Sequence, residues 1–226
     1  MDWFDRLVFT FFNAEVAARY LPDILVGMGV TVVLGLCVVV TGLLLGLGLA
    51  VLRTVQRPWL TLPIVAFADI LRALPPLVVI IPLFFAFPYI QLSMSSFTAT
   101  WIALSLVLAA YAEESIWAGL LALSRGQSEA ARSTGLGWWP TLRWVLLPQA
   151  LRIAVPALTN RVISITKNTA LGSVVALNEV LNNAQSASSN AGNPTPLTMA
   201  AVAYLVIFLP VVLGARWLET RWRWKR

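Results

Sequence analysis

Histidine is absent from this chain, and cysteine occurs once, at Cys37. Without histidine, the commonest metal ligand and the commonest acid–base catalyst are both missing. One cysteine inside an apolar run allows no internal disulfide and argues against redox chemistry. Charge is scarce too: 12% of residues are charged against 59% apolar, and the mean hydropathy is +0.80. Such a balance excludes an ordinary soluble domain and predicts a single all-α integral membrane domain. No G-x-x-x-x-G-K-[ST] segment occurs, so the chain supplies no ATP site of its own. Gly42 to Gly48 is glycine-rich but apolar and without the lysine; its Gly42-x-x-x-Gly46 reads as a close-packing motif between helices. No metal or cofactor motif is present, which leaves a membrane-embedded enzyme without support.

Long apolar runs predict five spans. Ile24–Leu52 holds no charge over 29 residues, about 43 Å as one tilted helix. The second run extends from Trp59 to Phe87, with Asp69 and Arg72 in it and Pro75-Pro76 just beyond them. Phe97–Leu121, Ile153–Leu181 and Leu197–Ala215 follow. Residues 88–96 read as a short turn. Asn182–Pro196, polar and punctuated by glycine and proline, reads as a loop. Ahead of the spans, Trp3, Phe4, Leu7, Val8, Phe11 and Phe12 recur at helical spacing. Residues 1–20 therefore read as an amphipathic helix in the membrane interface, or as a tail ordered only by a partner. Asp2, Asp5 and Glu15 speak against a signal peptide.

The net charge of +6 follows topology, not nucleic acid. Arg53 and Arg57, then Arg125, Arg132, Arg143 and Arg152, then Arg216, Arg221, Arg223, Lys225 and Arg226 fall in alternate inter-span segments, whereas 88–96 and 182–196 carry no Lys or Arg. The positive-inside bias places the N-terminus outside and the C-terminus in the cytoplasm, which an odd number of spans satisfies. Trp217, Trp222 and Trp224 among the last arginines read as an interfacial anchor in a basic tail, 217–226. The transmembrane domain is thereby predicted over 21–216.

One polar, basic island, Glu129 to Pro148, interrupts the apolar pattern with Glu129-Ala130-Ala131, Gly135, Val145, Leu147 and Pro148 at fixed offsets. Ser128 is placed to cap a helix starting at Glu129. Gly135 and Gly137 supply a turn, and Trp138-Trp139-Pro140 opens a second helix. The segment resembles the EAA loop, E-A-A-x3-G-x9-I-x-L-P, of the membrane subunits of binding-protein-dependent ABC importers, with Val145 in place of the usual Ile. Arg125-Gly126-Gln127 before it and Pro148-Gln149-Ala150-Leu151-Arg152 after it resemble the histidine/glutamine-type branch, which imports polar amino acids. Gly27, Gly29 and Thr31 resemble the family's G-x-x-x-T-L opening, with Val32 where Leu is expected.

The resemblance implies the type I ABC importer fold with a cytoplasmic coupling helix in loop 125–152. It implies that Glu129, Ala130, Ala131, Gly135, Leu147 and Pro148 dock on a separate ATPase. ATP-Mg would then be bound by a dimer of ATPase subunits and no cofactor by this chain. The expected partners are a second permease subunit, identical or paralogous, an extracytoplasmic amino-acid-binding protein, membrane lipid and a polar amino acid. The expected location is a bacterial inner membrane. Opines and osmolytes are the alternative cargo of the same architecture, and a scaffold or sensor subunit the alternative without transport.

Ionisable groups inside spans mark the candidate path: Asp69, Arg72, Glu113, Glu114, Arg161, Lys167 and Glu179. Arg161, Ser164, Ile165 and Asn168 share one helical face, which offers a guanidinium to a carboxylate beside neutral hydrogen-bonding groups. Lys167-Asn168-Thr169-Ala170-Leu171 resembles the family's K-[DN]-[TS]-x-L segment in a pore-lining helix. Arg161, Ser164 and Asn168, with Lys167, Arg72 and Glu113, are the path candidates. Against this stand structural readings: Asp69 and Arg72 can neutralise each other, Arg72-Ala73-Leu74-Pro75 resembles the family's R-G-x-P segment with a gating or structural role, Arg161 can pair with Glu113 or Glu114, and Lys167 can snorkel or pair within the dimer interface.

Overall fold

The structure is a computed structural model that describes residues 2–222, with the side chain of Trp222 left out. The expectations for Arg223, Trp224, Lys225, Arg226 and the Trp222 side chain lie outside the described residues. Among these residues the chain is helical, with no strand: α1 Trp3–Phe11, α2 Ala14–Arg53, α3 Pro58–Ala73, α4 Pro76–Ile81, α5 Ser96–Leu121, α6 Arg125–Ser133, α7 Trp138–Pro140, α8 Leu147–Lys167, α9 Val180–Ala191 and α10 Thr195–Trp222. They form two compact units. The first comprises residues up to Val38, Pro76–Leu104 and Ile165–Val212; the second comprises Val39–Pro75, Ser105–Ser164 and the residues from Leu213.

Three described helical runs are long and apolar enough to cross a membrane: Trp3–Arg53, Ser96–Leu121 and Thr195–Arg221. A fourth arises if Pro58–Ala73 and Pro76–Ile90 count as one broken span. The expected continuous span from Trp59 to Phe87 is thus corrected. Leu74, ahead of Pro75, is extended and α3 stops at Ala73, because a residue before proline is disfavoured in the helical region. The expected fourth span, Ile153–Leu181, is not one helix either. α8 ends at Lys167, a 3-10 stretch covers Asn168–Val175, and Ala176 turns left-handed at φ 56°. Its arginines, lysine and amides keep α8 below the apolarity of the other spans, so length and hydropathy alone do not yield a count of five.

In the first unit, α1 opens with a capping box in which Asp2 and Asp5 exchange hydrogen bonds with backbone amides. None of its residues is buried, and Trp3, Phe4, Phe9 and Phe12 are exposed. Asn13 Oδ1 accepts from the N–H groups of Glu15 and Val16, at 3.0 and 3.2 Å, and starts α2. The expected boundary near residue 20 therefore moves to Asn13. Asn193 Nδ2 donates to the Phe9 carbonyl at 2.9 Å, and Asn13 N–H to Thr195 Oγ1 at 3.1 Å, so α1 is tied to the turn before α10.

Residues 182–196 are not a loop: α9 fills most of that stretch, and only Gly192 to Pro194 remain as a connection. Val180, Ala184 and Ala187 are buried on one face of α9. Packing of that face outweighs the weak helix propensity of its asparagines and serines. Glu179 Oε1 caps the helix through the Asn182 N–H at 2.8 Å, while Tyr204 donates to Glu179 Oε2 at 2.6 Å. Glu179, a candidate path residue by sequence, is fully buried and serves as this cap. Gly192, at φ +59°, ends the helix in the left-handed conformation that glycine tolerates. A Cβ on Gly27 would lie 2.9 Å from the Val180 backbone, so only glycine admits this approach. Ile24, Val180, Ala184, Ala200 and Ala203 form the core around it.

The second unit is built on a seam between α2 and α5. A Cβ on Gly46 would meet Ala112 Cβ at 2.5 Å and the Ala109 carbonyl at 2.8 Å, and one on Gly42 would meet Leu108 at 2.8 Å. The G-x-x-x-G motif therefore acts as expected. Thr41 and Ser105 hydroxyls hydrogen-bond along the same seam at 2.7 Å. Ala50, Ile116 and Ala154 make the core beyond it. Near the end of the chain, Thr159 of α8 donates its hydroxyl to Glu219 of α10, and the Arg221 guanidinium lies 5.2 Å from the Trp217 ring centre.

Gly46→Val is expected to destabilise this seam by about 1–3 kcal/mol through overpacking. Gly48→Val, where a Cβ meets nothing within 4 Å, is expected to be silent. Thermal unfolding of the detergent-solubilised protein reads both; equal shifts would refute the seam.

Candidate coupling loop and charged cavity

Two parts of the second unit carry most of the sequence-predicted functional residues; Lys167 and Asn168 belong to the first unit. The first is α6 and the segment after it. α6 begins at Arg125, with Ser124 at the N-cap position and no side-chain cap bond. Ser128 lies inside the helix, which corrects the expectation that it caps a helix starting at Glu129. Glu129 and Ala130 are exposed, whereas Ala131 is buried at 8% exposure. The small residues thus do two things: Ala131 seats the helix and Ala130 keeps its outer face low. Gly135 has φ +89°, and a Cβ there would meet nothing. Backbone conformation, not space, is what requires glycine at this reversal.

From Trp138 the chain is helical again. Between Thr141 and Leu146 the helix widens, and the Leu147 N–H donates to the Leu142 carbonyl. Pro148 follows without an N–H, one residue short of a regular ladder. Leu147 is half-buried and Pro148 exposed. Thr141 and Leu142 are buried under the loop. Gln149 ties the two arms, donating to Gln127 Oε1 at 3.2 Å and to the Val145 carbonyl at 2.8 Å. The motif's glutamate therefore stands on an exposed face of a short helix whose base is fixed by burial and hydrogen bonds.

The second part is a cavity of about 500 Å³ among α3, α5 and α8, lined by Arg72, Tyr111, Glu114, Ser115, Asn160 and Arg161 with small apolar residues between them. Arg72 and Arg161 each stand fourteen residues into their helices, about 21 Å along the axis. The Arg161 guanidinium lies 4.1 Å from the Tyr111 ring centre, a cation–π contact. Among the described residues it meets no carboxylate within ion-pair distance. The alternative pairing of Arg161 with Glu113 or Glu114 is not found, because those acids hold other cations. Arg72 Nη2 is 2.6 Å from Asp69 Oδ1, the mutual neutralisation anticipated from their spacing, and 3.6 Å from Glu114 Oε2.

Arg53 was read from the sequence only as a cytoplasmic charge that sets topology. Its Nη1 lies 2.9 Å from Glu113 Oε1 and 3.5 Å from Glu114 Oε2, and its guanidinium lies 4.5 Å from the Trp117 ring centre. Two adjacent acids within a span need a cation at their depth, and that requirement was the available signal. Tyr111 was missed as well; its spacing of three from Glu114 was the only hint. Glu113 is fully buried and does not line the cavity. Ser164 and Lys167 are exposed and Asn168 half-buried. Lys167 lines an apolar groove with Ala170, Tyr204 and Phe208 in the first unit. Of the path candidates, the structure brings together Arg72 and Arg161; Ser164, Asn168, Lys167 and Glu113 lie outside their cavity. Among the described residues no cluster of His, Cys, Asp or Glu could hold a metal ion.

Comparison with known proteins agrees with this architecture. The probable glutamine ABC transporter permease protein GlnP of Bacillus subtilis is 34% identical over 199 residues, covering 86% of this chain and 91% of its own length. The arginine ABC transporter permease protein ArtQ of Haemophilus influenzae is 30% identical, covering 84% of this chain and 89% of its own. The crystal structure of an amino acid ABC transporter with histidines superposes with a TM-score of 0.81 at 29% identity, over 90% of this chain and 96% of that one. An inward-facing structure of the MetNI methionine ABC transporter shares the fold, with a TM-score of 0.74 at 21% identity, over 89% and 96% of the two chains. Residues 42–224 match the family described as binding-protein-dependent transport system inner membrane component, and the chain belongs to that family.

Proposed function

We propose that this chain is the permease subunit of an ATP-driven importer of polar amino acids and forms half of its translocation path. The observation that carries the reading is the charged cavity of the second unit, where Arg161, among the described residues, makes no ion pair and Glu114 lies 3.5 and 3.6 Å from Arg53 and Arg72. A guanidinium and a carboxylate lining one cavity suit the two charges of an α-amino acid. Kinship with permeases named for glutamine and arginine supports the substrate class. Arg161 and Arg72 are assigned to the solute contact, and Ser164, Asn168 and Lys167 to the continuation of the path along α8. Glu113 is assigned to its support.

Energy comes from separate ATPase subunits that carry ATP-Mg and receive Glu129, Ala130, Ala131 and Gly135, with Leu147 and Pro148 holding the far arm. ATP binding closes the ATPase pair and swings α6, and the spans follow to face the outside. Hydrolysis returns them. A second permease copy, identical or paralogous, completes the path, and an extracytoplasmic binding protein delivers the solute. The arginine-rich segments at Arg53–Arg57 and in loop 125–152 support a cytoplasmic C-terminus in the bacterial inner membrane. α1, with its exposed aromatic residues and capped start, is assigned to the outer membrane interface.

ATPase activity of the complex reconstituted in lipid with its binding protein tests the assignment. One or a few L-amino acids are expected to stimulate it; stimulation by an opine or osmolyte alone would keep the mechanism and replace the cargo. Arg161→Gln is expected to cost about tenfold or more in solute-dependent stimulation, the worth of one charge-assisted hydrogen bond, with basal hydrolysis retained.

Glu129→Lys puts a cation on the exposed face of α6. It is expected to abolish ATP-driven uptake into vesicles while leaving the protein folded, because Glu129 is exposed and its side chain makes no ion pair among the described residues. Normal uptake by this variant would remove the coupling assignment.

A further inference from the structure

Glu113 and Glu114 are neighbours on α5 in opposite circumstances. The Glu113 side chain is fully buried, with Oε1 2.9 Å from Arg53 and Oε2 without a hydrogen-bond partner. The Glu114 side chain is 39% exposed, lines the cavity, and reaches Arg53 and Arg72 only at 3.5 and 3.6 Å, both through Oε2. A buried carboxylate cannot release its counter-ion without leaving a bare charge in the interior. A carboxylate at the outer limit of hydrogen-bond distance from two guanidinium groups can exchange one of them for a ligand cation. Arg53, for its part, is fixed by groups that do not face the cavity: Glu113 on one side and the Trp117 ring on the other.

We infer that Arg53 is a positioning residue for the solute: anchored by Glu113 and Trp117, it holds Glu114 at the cavity wall as the receptor for the ammonium group of an α-amino acid whose carboxylate meets Arg161. This rests on the reading that the cavity lies on the translocation path. Arg72 is the cation that Glu114 releases when the ammonium group arrives, since Asp69, at 2.6 Å, keeps Arg72 neutralised. Solutes that carry a carboxylate but no ammonium group lose this contact and bind more weakly.

The test uses the complete permease–ATPase complex in lipid, without binding protein. The probes are L-glutamine, or whichever L-amino acid leads the screen above, and its des-amino acid. Wild type is expected to prefer the amino acid by about tenfold, one charge-assisted hydrogen bond. R53Q/E113Q removes the anchoring pair together and leaves neither charge alone. It is expected to bring the ratio towards one while the des-amino acid binds as before. R53K keeps a counter-charge for Glu113 but loses the planar guanidinium that lies against Trp117 while its Nη1 reaches both acids; it is expected to lower the ratio several-fold, so the inference stays testable if the double variant fails to assemble. A wild-type ratio in either variant overturns the role of Arg53, since a purely structural pair would move both probes together or neither. If E114Q and R161Q both bind the probes as wild type does, the cavity is not on the path and the inference falls with that reading. If those two alter binding while the Arg53 variants keep the ratio, only the role of Arg53 falls.

Discussion

A guanidinium and a carboxylate taken out of water together are tolerable only while neither is left alone, and the second unit accepts that condition at Arg53 and Glu113. The pair fixes the end of α2 against α5 at the point where the glycine seam runs out. The Trp117 ring lies against the guanidinium, and Glu114, next to Glu113, meets the same Nη1 at 3.5 Å. Through Glu114 the same charge reaches Arg72 and Asp69. Five ionisable side chains from three helices thereby become one connected network, and the cavity opens along its edge. Apolar packing alone would hold these helices together but would leave the wall of that cavity without polarity.

Small residues and prolines supply the geometry within which the network can form. Gly42 and Gly46 bring α2 within reach of α5, and Gly119 lets α5 approach the Ala150 carbonyl, where a Cβ would sit at 2.5 Å. Such contact in a lipid environment depends on close van der Waals packing, because lipid offers no hydrophobic drive between helices. Pro75 ends α3 soon after Arg72, and Pro148 follows the widened turn at 141–146. The helix breaks at Pro75 close to Arg72, which lines the cavity.

The helix–turn–helix of loop 125–152 was legible because its signal is a set of fixed offsets, and Gly135 adopts the positive φ of the turn expected there. Its helix start was not: Ser128 looked like a cap, yet the helix had begun three residues earlier at Arg125. α9 was misread for a reason of physics. Asparagine, serine and glycine are the residues of turns when judged locally, and here the burial of Val180, Ala184 and Ala187 decides the matter. Arg53 was misread because a cation at the end of an apolar run serves topology equally well as a free charge or as a paired one. Pairing across some sixty residues of sequence leaves no local trace. Asp69 and Arg72, three residues apart on one helix, did leave one.

The balance of charged residues in this network and at Arg161 bears on what such a cavity can accept. Asp69, Glu113 and Glu114 stand against Arg53, Arg72 and Arg161, three of each sign. A zwitterion that places its carboxylate at Arg161 and its ammonium group at Glu114 enters without changing that balance. A solute of net charge brings an uncompensated ion into a low-dielectric wall, which is costly unless another group follows it. The arrangement therefore favours the charge pattern shared by all neutral amino acids and says little about their side chains. On the proposed reading, discrimination among side chains would fall to whatever delivers the solute, and this cavity would respond to the presence of both charges.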